Sequence, residues 1–97
     1  MATVNISFVT PAKQKGFAVL GDIRASENIT SSGTSQTSSN TCTNENEVVR
    51  VAVSGGDIRI TFGITPTATT SSLLLLDNSI EYFMIPYNSK VAVIDSA

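Results

Sequence analysis

The stretch that decides the fold is Val48–Ile94, VVRVAVSGGDIRITFGITPTATTSSLLLLDNSIEYFMIPYNSKVAVI. It holds most of the bulky apolar side chains and most of the period-two alternation. Val49, Val51 and Val53 share one side, and Val48, Arg50 and Ala52 the other, as in a half-buried strand. Ser54-Gly55-Gly56 follows, a glycine pair suited to a tight hairpin. The returning strand, Asp57 to Phe62, turns Ile58, Ile60 and Phe62 inward, with Phe62 expected as a core ring. After a Thr-rich connection containing Pro66, the continuous run Leu73, Leu74, Leu75 and Leu76 reads as a strand that is apolar on both faces. Asp77-Asn78-Ser79 marks a turn. Ile80–Ile85 and Val91–Ile94 then pair in expectation as a last hairpin across Pro86-Tyr87-Asn88-Ser89. Phe83, Ile85, Ala92 and Ile94 form its second apolar face, opposite Ile80, Tyr82, Met84, Val91 and Val93. That face is either covered by the N-terminal strands or kept for a neighbouring subunit.

Working outward, Val4, Ile6 and Phe8 alternate with Thr3, Asn5 and Ser7, a half-buried strand ended by Pro11 and Lys13–Gly16. Phe17–Ile23 is a second strand in which Gly21 signals a bulge or a close backbone approach. Between them and the central stretch lies TSSGTSQTSSNTCT (Thr30–Thr43). It has no large aliphatic or aromatic residue with which to offset the entropy of ordering it. It is expected as a long flexible loop, or as an extended arm that orders only in an assembly. The tetrapeptide Gly-Asp-Ile-Arg occurs at Gly21–Arg24 and Gly56–Arg59, which suggests the same turn chemistry used twice. The whole chain of 97 residues is one domain's worth. The expected class is all-β, a small antiparallel β-sandwich with a jelly roll as one version.

Composition narrows the chemistry. Charged residues make up 14% of the chain and the net charge is −2, against about 25% charged residues in an average domain. The six basic residues are scattered, so no patch exists to neutralise nucleic-acid phosphates. There is no histidine, so the commonest general base and metal ligand is absent. No carboxylate spacing suggests a converging catalytic pair; Asp57 and Asp77 flank turns and are read as caps. Glu45-Asn46-Glu47 lacks the alternation and glycine of a calcium loop. No catalytic, cofactor or metal residues are assigned, and an enzyme is not expected. No run reaches the ~18 apolar residues of a membrane span. As the one cysteine of the sequence, Cys42 cannot form an internal disulfide and is read as an idle exposed thiol, with a link between two chains as the alternative.

Within the central stretch, one sub-pattern joins Val49-Arg50-Val51-Ala52, Gly55-Gly56, Ile60-Thr61-Phe62-Gly63, Pro66 with Thr67-Ala68-Thr69, Glu81-Tyr82-Phe83 and Lys90-Val91-Ala92-Val93-Ile94. It resembles a group of short tailed-bacteriophage proteins that lie among structural genes and are usually taken as minor virion components. The resemblance implies a virion structural role, with assembly in the host cytoplasm. Its most economical form is a decoration or cement protein, a dimer or trimer held by non-covalent contacts to the major capsid protein or other virion proteins. A neck, tail or fibre component, or a carbohydrate- or protein-binding sandwich, are the alternatives. The interface residues expected are Phe83, Ile85, Ala92, Ile94 and Leu73 to Leu76.

Overall fold

The structure, a computed structural model, describes residues 1–14, 17–43 and 47–96, without the side chains of 11–14 and 17–22. Eight strands form two antiparallel sheets packed as a sandwich. They are β1 (Thr3–Gln14), β2 (Phe17–Thr30), β3 (Gln36–Thr37), β4 (Val48–Ser54), β5 (Ile58–Gly63), β6 (Leu73–Leu75), β7 (Ile80–Met84) and β8 (Lys90–Asp95). One sheet has the order β2-β1-β4-β7 and the other β3-β8-β5-β6. The alternation read from sequence sets the core. Val4, Ile6 and Phe8 of β1 and Val49, Val51 and Val53 of β4 meet Ile58 and Ile60 of β5 and Val91 and Val93 of β8.

Two expected hairpins are replaced by corners between sheets. β4 pairs with β1 and β7, while β5 pairs with β6 and β8. Gly55-Gly56 therefore carries the chain from one sheet to the other. β7 and β8 likewise fall in different sheets, so Pro86–Ser89 spans the sandwich as well. Period-two alternation fixes which side chains point inward but not which strand lies alongside, because both sheets offer the same apolar inner face. Gly55 has φ 98°, a conformation that costs a side-chain-bearing residue. A Cβ on Gly56 would lie 3.3 Å from the Met1 carbonyl oxygen.

β1 does not stop at Pro11. It continues to Gln14 against β2, which itself runs to Thr30. β4 covers β1 only as far as Val9, so the rest of the pair continues as a two-stranded ribbon. The expectation of a turn at Lys15 and Gly16 lies outside the described residues. Two register shifts interrupt the pair. One leaves Arg24 as an extra residue between the partners of Phe8 and Val9. The other falls at Gly21-Asp22, where the sequence signalled a bulge.

The Ser/Thr tract is neither a free loop nor an unoccupied arm. Gln36 and Thr37 pair with Val93 and Ala92. Ser38 N–H donates to the Val91 carbonyl (2.7 Å) and Cys42 N–H to that of Ser89 (2.8 Å). The Glu27 carboxylate accepts from the backbone N–H groups of Ser39 (3.1 Å) and Asn40 (2.9 Å). Ser31, Ser38 and Cys42 are buried. Hydrogen bonds to the body, rather than apolar side chains of its own, hold the tract down. Cys42 lies in the core with its Sγ 3.8 Å from the Ile85 carbonyl oxygen, so the exposed thiol expected from sequence is not found.

Candidate functional site

Among the described residues, six of the ten exposed large apolar side chains gather on one edge of the sandwich, while Met1, Ile23, Ile64 and Tyr87 are exposed outside β6, β7 and their turn. β6 ends one sheet, β7 ends the other, and the turn Leu76–Ser79 joins them. Leu73, Leu74, Leu76, Ile80, Tyr82 and Met84 are each between 40% and 68% exposed. Of the residues expected at an interface, Leu73, Leu74 and Leu76 lie on this edge. Leu75 turns into the core. Phe83 and Ile85 face inward: Ile85 is buried, and the Phe83 ring lies 5.0 Å from that of Phe62 at 53°. Ile94 is half-buried. Ala92 is fully buried, on the face of β8 opposite Val91 and Val93. Its cross-strand neighbour Thr37 donates to the Pro66 carbonyl, which brings the β5–β6 connection onto that face. The exposed face of β7 is therefore Ile80, Tyr82 and Met84, the set that sequence reading had turned inward. Alternation alone does not say which of two apolar faces meets the core.

The backbone of β7 has a defined polarity. Val53 N–H donates to the Ser79 carbonyl (2.9 Å), so the hydrogen-bonded pairs with β4 continue at Val51–Glu81 and Val49–Phe83. Antiparallel strands alternate the side to which successive residues present their N–H and C=O. Those of Ile80, Tyr82 and Met84 consequently point away from β4, and among the described residues no strand pairs with β7 there.

Carboxylates brace the corners beside this edge. Asp77 accepts the Gly55 N–H (2.8 Å) and Asp57 accepts the Asp77 N–H (2.8 Å). Each aspartate caps the neighbouring corner as well as marking its own. Asn78 takes φ 63° in the turn that delivers β7.

On the far side, β1 and β2 carry a linked set of polar side chains. Asn5 Nδ2 donates to Asn28 Oδ1 (2.9 Å), and the Ser7 hydroxyl to Asn5 Oδ1 (3.0 Å). At the β2 bulge, Arg24 makes a two-pronged ion pair with Glu47, Nε to Oε2 at 2.7 Å and Nη2 to Oε1 at 2.9 Å. It also donates to the Thr41 carbonyl (2.6 Å) and lies 5.4 Å from the centroid of the Phe8 ring. Hydrogen bonding to Arg24 holds the Glu47 carboxyl below its ordinary range, and the same bond pushes the Arg24 guanidinium up. Glu47 is thus committed to structure. Asn44 to Asn46 lie outside the described residues. The two Gly-Asp-Ile-Arg copies serve different ends, since Arg59 donates to the Ser72 carbonyl (2.9 Å). Among the described residues no group of three or more His, Cys, Asp or Glu side chains is placed to hold a metal ion. Among the same residues, no helix is long and apolar enough to cross a membrane.

Compared with known proteins, the chain matches no family model, no curated protein and no solved structure. The open β6–β7 edge is therefore judged on its own chemistry. It offers apolar side chains and unpaired strand backbone, the two ingredients of strand addition.

Proposed function

We propose that this chain is a structural component of a bacteriophage virion, a decoration or cement protein that reinforces the head by non-covalent contacts. The observation that carries this reading is the concentration of six exposed apolar side chains on the β6–β7 edge of a weakly charged sandwich. Six exposed side chains of this kind present on the order of 600 Å² of apolar surface, the upper end for a lone monomer. Such a surface is more stable covered, at about 25 cal/mol per Å² of apolar area removed from water. Repeated at symmetry-related positions on a shell, a modest contact sums to a large reinforcement.

Two further features support the reading. The residue pattern over Val48–Ile94 resembles short phage structural proteins. The strand order, counted from β2 with β1 taken last, interleaves the two halves of the chain in the manner of a jelly roll, an architecture used in viral capsids and in lectins. Architecture alone does not assign a role. The role proposed is binding rather than catalysis, with the major capsid protein or other virion proteins as partners.

The test is quantitative mass spectrometry of purified virions combined with co-sedimentation on heads lacking the protein. A decoration protein is present in many copies and rebinds empty heads saturably at a fixed ratio to the major capsid protein. A few copies confined to a tail or neck fraction would move it to those parts of the particle. Absence from virions would leave a free binding module and remove the proposal.

A further inference from the structure

We infer that β7 is the self-association edge of this protein, pairing antiparallel with β7 of a second copy about a two-fold axis at Tyr82. The inference names the partner of the edge on which the virion reading rests. It begins with how the four sheet edges differ. Natural proteins blunt free edges with short strands, bulges, prolines or lysines. β3 has two residues and β6 has three. β2 is interrupted by the register shifts at Arg24 and at Gly21-Asp22. β7 alone runs five residues, Ile-Glu-Tyr-Phe-Met, in uninterrupted register with β4 and without proline or lysine.

The edge is also self-complementary. Its outward backbone groups belong to Ile80, Tyr82 and Met84, symmetrically disposed about Tyr82. A two-fold axis there sets Tyr82 opposite Tyr82 of the second copy and Ile80 opposite Met84. All three become hydrogen-bonded pairs, and their side chains lie on one face as apolar and aromatic cross-strand contacts. Glu81 falls opposite Phe83 of the second copy, so like charges do not face each other. The two four-stranded sheets join into one of eight strands. The exposed leucines of the β6 segment flank the junction. In-sheet pairing takes up the strand backbone and leaves the outward faces of Ile80, Tyr82 and Met84 open to a further partner.

Cysteine cross-linking tests the register. A hydrogen-bonded antiparallel pair has Cα atoms ~5.5 Å apart, and its Cβ atoms are wider apart than the ~3.5–4.5 Å of a relaxed disulfide, so a short bis-thiol alkylating linker is the probe. Tyr82→Cys therefore links to its own counterpart through this short linker. In Ile80→Cys the two copies' Ile80 positions are offset by four residues, about 13 Å along the strand, and self-linking is at least ~10-fold slower. Both positions are solvent-exposed, and Cys42 is buried and silent in the parent. Light scattering on the unmodified protein should show a dimer that dissociates on dilution. A monomer at every concentration, or equal linking of the two variants, overturns the pairing. Head binding by such a monomer would leave the virion role standing. A Tyr82-centred dimer that never joins heads would do the reverse.

Discussion

The residue that carries most structural weight beyond the core is Arg24. As the extra residue of a bulge it escapes the alternation of β2, and its guanidinium reaches Glu47, the Thr41 carbonyl and the Phe8 ring together. Glu47 is 1% exposed, so removing its partner leaves a desolvated carboxylate. Arg24→Ala should cost about 3 kcal/mol in urea unfolding, the low end for a broken buried pair, because the Arg24 side chain is 34% exposed. Arg24→Lys should recover only part of this, since an ammonium cannot reproduce the fork. Acid sensitivity follows from the same pair. Glu47 holds its proton less tightly folded than unfolded. As pH falls below its ordinary value of 4.5, the unfolded chain takes up more protons and stability drops. Glu47→Gln should be less stable than the parent at neutral pH, with a shallower loss of stability on acidification. Phe8, fully buried, should cost about 3–5 kcal/mol as Phe8→Ala. Phe62 is only half-buried, so Phe62→Ala should cost clearly less, contrary to the expectation of a core ring.

At the scale of elements, the corners rather than hairpins define the topology. Gly55 takes its positive φ at the β4–β5 corner, where its N–H is held by Asp77. Gly55→Ala should lose about 1–3 kcal/mol to backbone strain. Gly33 has open space where a Cβ would stand, so Gly33→Ala should be close to neutral; thermal melts of the two variants separate the cases. Strand positions and inward faces were legible in β1, β4 and β5 because Val, Ile and Phe alternate with polar residues there. Partner strands were not. A glycine pair serves a two-residue hairpin and an inter-sheet corner equally well, and only the three-dimensional register distinguishes them. The Thr30–Thr43 tract was misread for a related reason. Its stability resides in bonds from Glu27, Ser89 and Val91 to its backbone, which leave no local hydrophobic signal.

For the whole molecule, the sequence carried the surplus of apolar strand surface but assigned half of it to the wrong face. In β7 both faces are apolar, and the inner face was set by Phe83 meeting Phe62, a contact between residues far apart in the chain. What remains outside is a flat, unprotected edge, and the central claim is that a second copy covers it. Amide hydrogen exchange, followed residue by residue at several protein concentrations, addresses this most directly. Glu81 and Phe83, bonded to β4, should stay protected throughout. Ile80, Tyr82 and Met84 should be protected in concentrated solution and should lose that protection on dilution. Unprotected amides at Ile80, Tyr82 and Met84 at every concentration would contradict the pairing.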